Sequence, residues 1–230
     1  MQNEQFTTGQ IRPIECVKEA WALIKDEYWT LFAISIVGAM LAGISLYVLI
    51  GPMVCGILGC YLKKIDGGPV KFDDLWIGFK YFWPSLLVTI VVVVPIIVYL
   101  VAAMSTIYLP IIMKAVGGSR VSDDELLAAI GVALVVDLMV AVIMVCLHSL
   151  VIFSFPLIVD RGISSWPAIK LSARAALKNI GGVAGIIGVN FVLGIVGYLA
   201  FCVGLYLLIP LITATNIVAY RKVFPRQSLA

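Results

Sequence analysis

The chain has 230 residues, of which 62% are hydrophobic and only 13% charged, and its mean hydropathy is +1.10. A soluble domain is nearer half apolar, so this composition excludes an ordinary water-soluble globule and points to an integral membrane protein. The net charge of +3 is too small to argue for nucleic-acid binding, and where the cations lie says more than their sum.

The opening MQNEQFTTGQIRP is polar and lacks the basic-then-apolar pattern of a cleaved signal, so the first membrane helix is expected to act as the insertion signal and stay in place. Apolar residues then recur at Ile14, Val17, Trp21, Ile24 and Tyr28 with charges between them, which predicts an amphipathic helix too charged to span. A hydrocarbon core about 30 Å thick needs roughly 20 helical residues, and the apolar run 29–62 is too long for one crossing. Gly51-Pro52 is its expected break. A second amphipathic stretch, Phe72, Leu75, Trp76, Phe79 and Phe82, precedes the run 84–113, with Asp73 as its expected N-cap. Pro95 should kink that run. The run 126–158 reads as a single overlong helix, about 50 Å long. A third stretch, Trp166, Ile169, Ala173, Leu177 and Ile180, begins at a Ser165 cap with Pro167 in its first turn. The final run, 180–220, is again too long, and Gly197 to Gly204 is its expected break.

These runs predict an all-α, polytopic membrane protein. It has six transmembrane helices near 29–50, 51–65, 84–113, 126–158, 180–201 and 203–223, and three interfacial amphipathic helices. No stretch reads as a linker, so residues 1–230 form one membrane domain. With an even number of spans, Lys and Arg fall almost wholly on one side: Arg12, Lys18 and Lys25, then four in 63–80, four in 161–178, and Arg221, Lys222 and Arg226. Only Lys114 and Arg120 lie opposite. The positive-inside rule then places both termini in the cytoplasm. All five tryptophans (Trp21, Trp29, Trp76, Trp83, Trp166) fall on that same side, as half of an aromatic belt.

EAWALIKDEYWTLF (19–32), DLWIGFKYFWPSLL (74–87) and SARAALKNIGGVAG (172–185) match in character, with Lys25, Lys80 and Lys178 coinciding. Each is followed by two spans, the second carrying a proline before a basic end: Pro52 before Lys63-Lys64, Pro156 before Arg161, Pro210 before Arg221-Lys222. This predicts a threefold internal repeat, about 11–65, 72–160 and 163–223, with the first and third copies the better pair. The basic residues of the interfacial stretches have two readings. They are anchors required by topology, or Lys25, Lys80, Lys178 and Arg174 contact anionic lipid headgroups or a cytoplasmic partner.

GPMVCGILGCYLKKIDGGPVKFDDLWIGFKYF and FPLIVDRGISSWPAIKLSARAALKNIGG resemble the segments flanking the spans in a group of uncharacterised bacterial inner-membrane proteins, related to the membrane domain attached to some glycerophosphodiester phosphodiesterases. The resemblance implies a bacterial plasma-membrane protein. It implies no catalytic residues here, because the phosphodiesterase chemistry belongs to a soluble domain that these segments do not contain.

No metalloprotease, nucleophile-elbow, P-loop or dinucleotide-binding signature occurs. Cys16, Cys55, Cys60, Cys146 and Cys202 form no CxxC and read as small buried hydrophobes. Asp73 and Asp74 could be argued as metal ligands, but helix capping explains them more simply. No cofactor is implied. Inside the spans the costly groups are Asp137, His148 and Asn190, with Asn216 near the inner end. Asp137 and His148 are eleven residues apart, so they share a helix face and lie about 16 Å apart along it. Either these groups line a pathway, or Asp137 is hydrated near the outer interface and His148 is a neutral, hydrogen-bonded ring. The expected function is non-enzymatic: a scaffold, an assembly partner or a lipid-interacting module, whose partners are membrane lipids and a membrane protein or second copy. The alternative is a small solute or ion transporter or channel using Asp137, His148 and Asn190. Glycines at 181, 185 and 188, at 38 with Ala42, and at 56 and 59 are expected to serve close helix packing.

Overall fold

The computed structural model describes residues 6–45, 48–117, 122–201 and 203–226. Arg120 and Cys202 lie outside the described residues, and the side chain of Asp123 is not described. Among the described residues every regular element is helical: α1 (Pro13–Ile24), α2 (Tyr28–Ile44), α3 (Ile50–Ile65), a 3-10 segment (Phe72–Tyr81), α4 (Phe82–Val116), α5 (Asp123–Val151), α6 (Ser154–Arg161), α7 (Ser165–Lys178), α8 (Ile180–Leu199) and α9 (Val203–Val223). A single 3-10 turn, Lys25–Glu27, joins α1 to α2. Five stretches are long and apolar enough to cross a membrane: Pro13–Ile44, Phe72–Ser105, Asp124–Arg161, Ile180–Leu199 and Val203–Val223. That is the build of a helical membrane protein. The helix α3, with 16 residues, is shorter than these.

Proline explains two of the breaks. Its ring clashes with the carbonyl four residues earlier and it has no N–H to offer, so a helix restarts with proline in its first turn. Pro52 and Pro156 are each the third residue of their helix, α3 and α6. The restart of the helix therefore lies at Ile50, before Gly51-Pro52 and not at it. The expected single helix 126–158 is divided at Ile152 and Phe153. Two backbone groups near that division are served by one hydroxyl: Phe153 N–H donates to Ser172 Oγ at 3.0 Å, and Ser172 donates to Leu150 C=O at 2.7 Å. Pro210 instead lies inside α9, while α4 runs unbroken through Pro95. The last break falls where the glycines suggested, between Leu199 and Val203.

The chain forms two compact units, Met1–Thr89 with Ser149–Ala230, and Ile90–His148. In the first, α1 packs on α9, the 3-10 segment on α3, and α7 on α6. Most inward residues are small, namely Cys16 and Ala20 of α1, Gly78 of the 3-10 segment, and Ala168, Ser172, Ala175 and Ala176 of α7, with Ile24, Leu75 and Leu171 the larger ones. Small side chains let backbones approach closely where lipid supplies no hydrophobic drive between helices. The closest approach is at Gly56 and Gly78, where an added Cβ would run into the Leu75 carbonyl and the Pro52 carbonyl respectively. Gly38 faces Ile57, and Gly182 and Gly185 face Ile11 and Pro13, whereas Gly181 and Gly188 face open space. The expected glycine stripe of α8 is thus carried by Gly182 and Gly185.

The large residues of the predicted stripes point the other way. Ile14, Trp21, Phe72, Trp76, Phe79, Trp166, Leu177 and Ile180 are all exposed, and of the expected stripes only Ile24 and Leu75 are fully buried. All five tryptophans are exposed, from 44% for Trp76 to 77% for Trp83. Two expected caps move. Asp74, not Asp73, accepts the Lys71 N–H that opens the 3-10 segment. Ser164 stands at the N-cap of α7, and the Ser165 hydroxyl donates to Pro84 C=O at 2.7 Å. The second stretch is 3-10 in geometry, not α, over its ten residues.

Candidate functional site

In the unit Ile90–His148, α4 and α5 are antiparallel, and polar side chains meet across them at several levels. His148 places Nδ1 2.7 Å from Met144 O in its own helix and Nε2 3.3 Å from Val92 O of α4. A carbonyl oxygen only accepts, so the ring nitrogen that carries the proton decides which of these two contacts is a hydrogen bond. Asp137 lies close enough to the Tyr99 hydroxyl of α4 to interact with it electrostatically. Near the connecting loop, Lys114 Nζ pairs with a Glu125 carboxylate oxygen at 2.6 Å. In an antiparallel pair, contacting positions keep a nearly constant sum of residue numbers. The pairs 92 with 148, 99 with 137 and 114 with 125 obey that rule, so all three belong to one register. Asp137 and His148 reach the same neighbouring helix without touching each other.

Asn190 belongs to the other unit. Its amide nitrogen donates to Asn216 Oδ1 at 2.9 Å, joining α8 to α9, and its own Oδ1 is buried without a partner. Nearby in sequence to Asn216, Thr215 donates back to Leu211 C=O, and the Tyr28 hydroxyl donates to Leu207 C=O, tying α2 to α9. The intramembrane polar residues singled out from the sequence therefore form separate local pairs.

The densest polar cluster lies at the basic ends of α3, α6 and α9. Arg221 grips Asp160 with both terminal nitrogens, at 2.8 Å and 2.7 Å, and reaches Asp66 at 2.9 Å. Tyr220 donates to Asp160 at 2.6 Å. The side chains are well covered, with 11% exposure for Arg221 and 17% for Asp160, so this fork is shielded from the screening that weakens surface pairs. Around it Lys63 pairs with Asp74, Lys64 with Glu27 and Lys222 with Glu19, each within 2.8 Å. Under it, Phe153, Tyr220 and Phe224 form an aromatic triad with centroids 5.1–6.2 Å apart, capped by Arg161 over Phe224. From the sequence Arg221 stands among the basic ends of the spans, but no site role is read for Arg221, Tyr220 or Tyr99. The clearest signal for Arg221 is a guanidinium, able to hold two carboxylates, at the end of an otherwise apolar helix.

Of the lysines and arginine expected at headgroups, Lys25, Lys80 and Arg174 are exposed. Lys178 sits over the Phe6 ring, 5.5 Å from its centroid. Cys16, Cys55 and Cys60 are buried, but Cys146 is exposed on α5, because that helix covers little of its own surface. Among the described residues no three His, Cys, Asp or Glu side chains gather as a metal site. Compared with protein-family models, curated proteins and solved structures, the chain matches none.

Proposed function

We propose that the protein is a non-enzymatic, multi-pass scaffold of a bacterial plasma membrane whose basic, aromatic collar rests on the cytoplasmic leaflet. The observation that carries this reading is the division of its polar groups. Inside the apolar helices they pair off locally, Asp137 with Tyr99, His148 with carbonyls, Asn190 with Asn216. The ionic groups concentrate instead at the ends of α3, α6 and α9, where they lock elements together. A pathway would need polar groups that converge on a common lumen, and a hydrolase would need an acid, a base and a nucleophile in reach of one another.

In this reading α3 is the sixth crossing, short at about 24 Å, and it returns both termini to the cytoplasm, as the positive-inside rule asks. The three hairpins are repeats, each led by an interfacial element. The packing supports that scheme: the 3-10 segment and α7 lie on the second helix of the hairpin before them, and α1 closes the series on α9. The test is reconstitution of the full chain in vesicles. No proton or solute flux is expected, and flux that Asp137→Asn abolishes would establish the transporter instead.

A further inference from the structure

The three interfacial elements differ in charge, and the difference assigns them different work. α1 and the turn after it carry Glu15, Glu19, Asp26 and Glu27, and the 3-10 segment carries Asp73 and Asp74. Three of these acids bind basic helix ends: Glu19 holds Lys222, Glu27 holds Lys64 and Asp74 holds Lys63. The sequence of α7, SWPAIKLSARAALK, contains Lys170, Arg174 and Lys178 and no acid at all.

The orientation of α7 is fixed by its other face. Ala168, Leu171, Ser172, Ala175 and Ala176 are buried, Ser172 is bonded at the division between α5 and α6, and Asn179 at its end accepts from Gly9 N–H and donates to Thr7 C=O. The helix cannot roll without breaking these contacts. At 3.6 residues per turn, Trp166 and Leu177 then occupy one edge of the outward face, with Lys170 and Arg174 beside them within about 80° of arc. Trp166 and Leu177 are 56% and 59% exposed, Lys170 and Arg174 are exposed, and the Lys170 ammonium lies 5.3 Å from the Trp166 ring centroid. An apolar edge next to a cationic edge fits the boundary between acyl chains and phosphates.

We propose that the outward face of α7 is the docking surface for anionic phospholipid headgroups, with Lys170 and Arg174 contacting the phosphates and Trp166 and Leu177 seated among the acyl chains. The proposal rests on the reading of the collar as lying on a leaflet, and adds that α7, not the acid-bearing α1 or 3-10 segment, provides the lipid selectivity. Charge complementarity carries it: α7 is the interfacial element that carries cations and no acid, whereas α1 with its turn and the 3-10 segment each carry both signs.

The test uses the purified full-length protein, equilibrated with mixed phosphatidylglycerol and phosphatidylcholine micelles, and native mass spectrometry to count each lipid retained. The wild type should favour phosphatidylglycerol. Lys170→Glu with Arg174→Glu should erase that preference, by roughly fivefold for each cation lost, while Lys25→Glu with Lys80→Glu leaves it close to wild type. The neutral pair Lys170→Gln and Arg174→Gln should lose it as well, and serves if the reversed pair does not fold. Preference kept in both α7 variants but lost with Lys25 and Lys80 would overturn the assignment to α7 and leave the collar reading standing. A wild type with no preference would overturn both.

Discussion

The two units of this chain are held together by opposite means. In the unit built from Met1–Thr89 and Ser149–Ala230, small residues bring helices into backbone contact and a covered Arg221–Asp160–Asp66 cluster ties three helix ends. Among the described residues of the hairpin Ile90–His148 nearly every large apolar side chain is exposed, from Ile90 to Leu147, and polar contacts in one register link its helices. The difference teaches where sequence-specific stability resides. Apolar surface facing lipid gains little from meeting another helix, so the hairpin depends on the bilayer, whereas the first unit carries its own lock.

That contrast is sharpest at Arg221. Removing one partner of a covered ion pair leaves the other charge uncompensated, at a cost of about 3–5 kcal/mol. Arg221→Ala should therefore lower the thermal unfolding temperature of the detergent-solubilised protein more than any change in the hairpin. Arg221→Lys keeps the charge but cannot make the two-pronged contact with Asp160, so it should fall between. Equal stability of Arg221→Ala and wild type would show that the lock holds nothing.

At Tyr99 the expected effect is smaller. Hydrogen bonds between membrane helices average about 0.6 kcal/mol and reach about 1.7, because the separated helices find other partners. Tyr99→Phe should cost within that range, and Asp137→Asn should cost less, since an amide still accepts from the tyrosine hydroxyl. A loss as large as that of Arg221→Ala would mean that Asp137 is as tightly enclosed as Asp160.

The same contrast explains what could be read from the sequence. Apolar run lengths, the cation distribution and the tryptophans reveal the helical membrane architecture, because composition and spacing are local properties. The division at Ile152 lay hidden in an unbroken apolar run, because proline restarts a helix at some positions, as Pro156 does, and is carried inside one at others, as Pro95 and Pro210 are. The outward turn of the aromatic stripes follows from lipid being as apolar as a core, which removes the usual reason to bury large residues. What the sequence could not supply are the partners. Arg221 is 61 residues from Asp160 and 155 from Asp66, and Ser172 serves a carbonyl 22 residues away. Such pairings depend on how hairpins stack. Asp137 stood out as an isolated acid, and only the antiparallel register brings Tyr99 opposite it.

The weakest link in the comparison is the pair nearest the α4–α5 connection. Lys114 and Glu125 are 41% and 52% exposed, so water and salt compete with them, and exposed pairs contribute about 0–1 kcal/mol. Lys114→Glu should lower the melting temperature slightly at low salt and not at all at high salt, where the charges are screened. Combining it with Glu125→Lys restores the attraction with its sign exchanged, and should restore the wild-type value if the register places these residues together. A double variant no better than Lys114→Glu alone would break the register at that rung while leaving the contacts of Tyr99 with Asp137 and of His148 with Val92 in place, because they lie several turns away along α4 and should act independently.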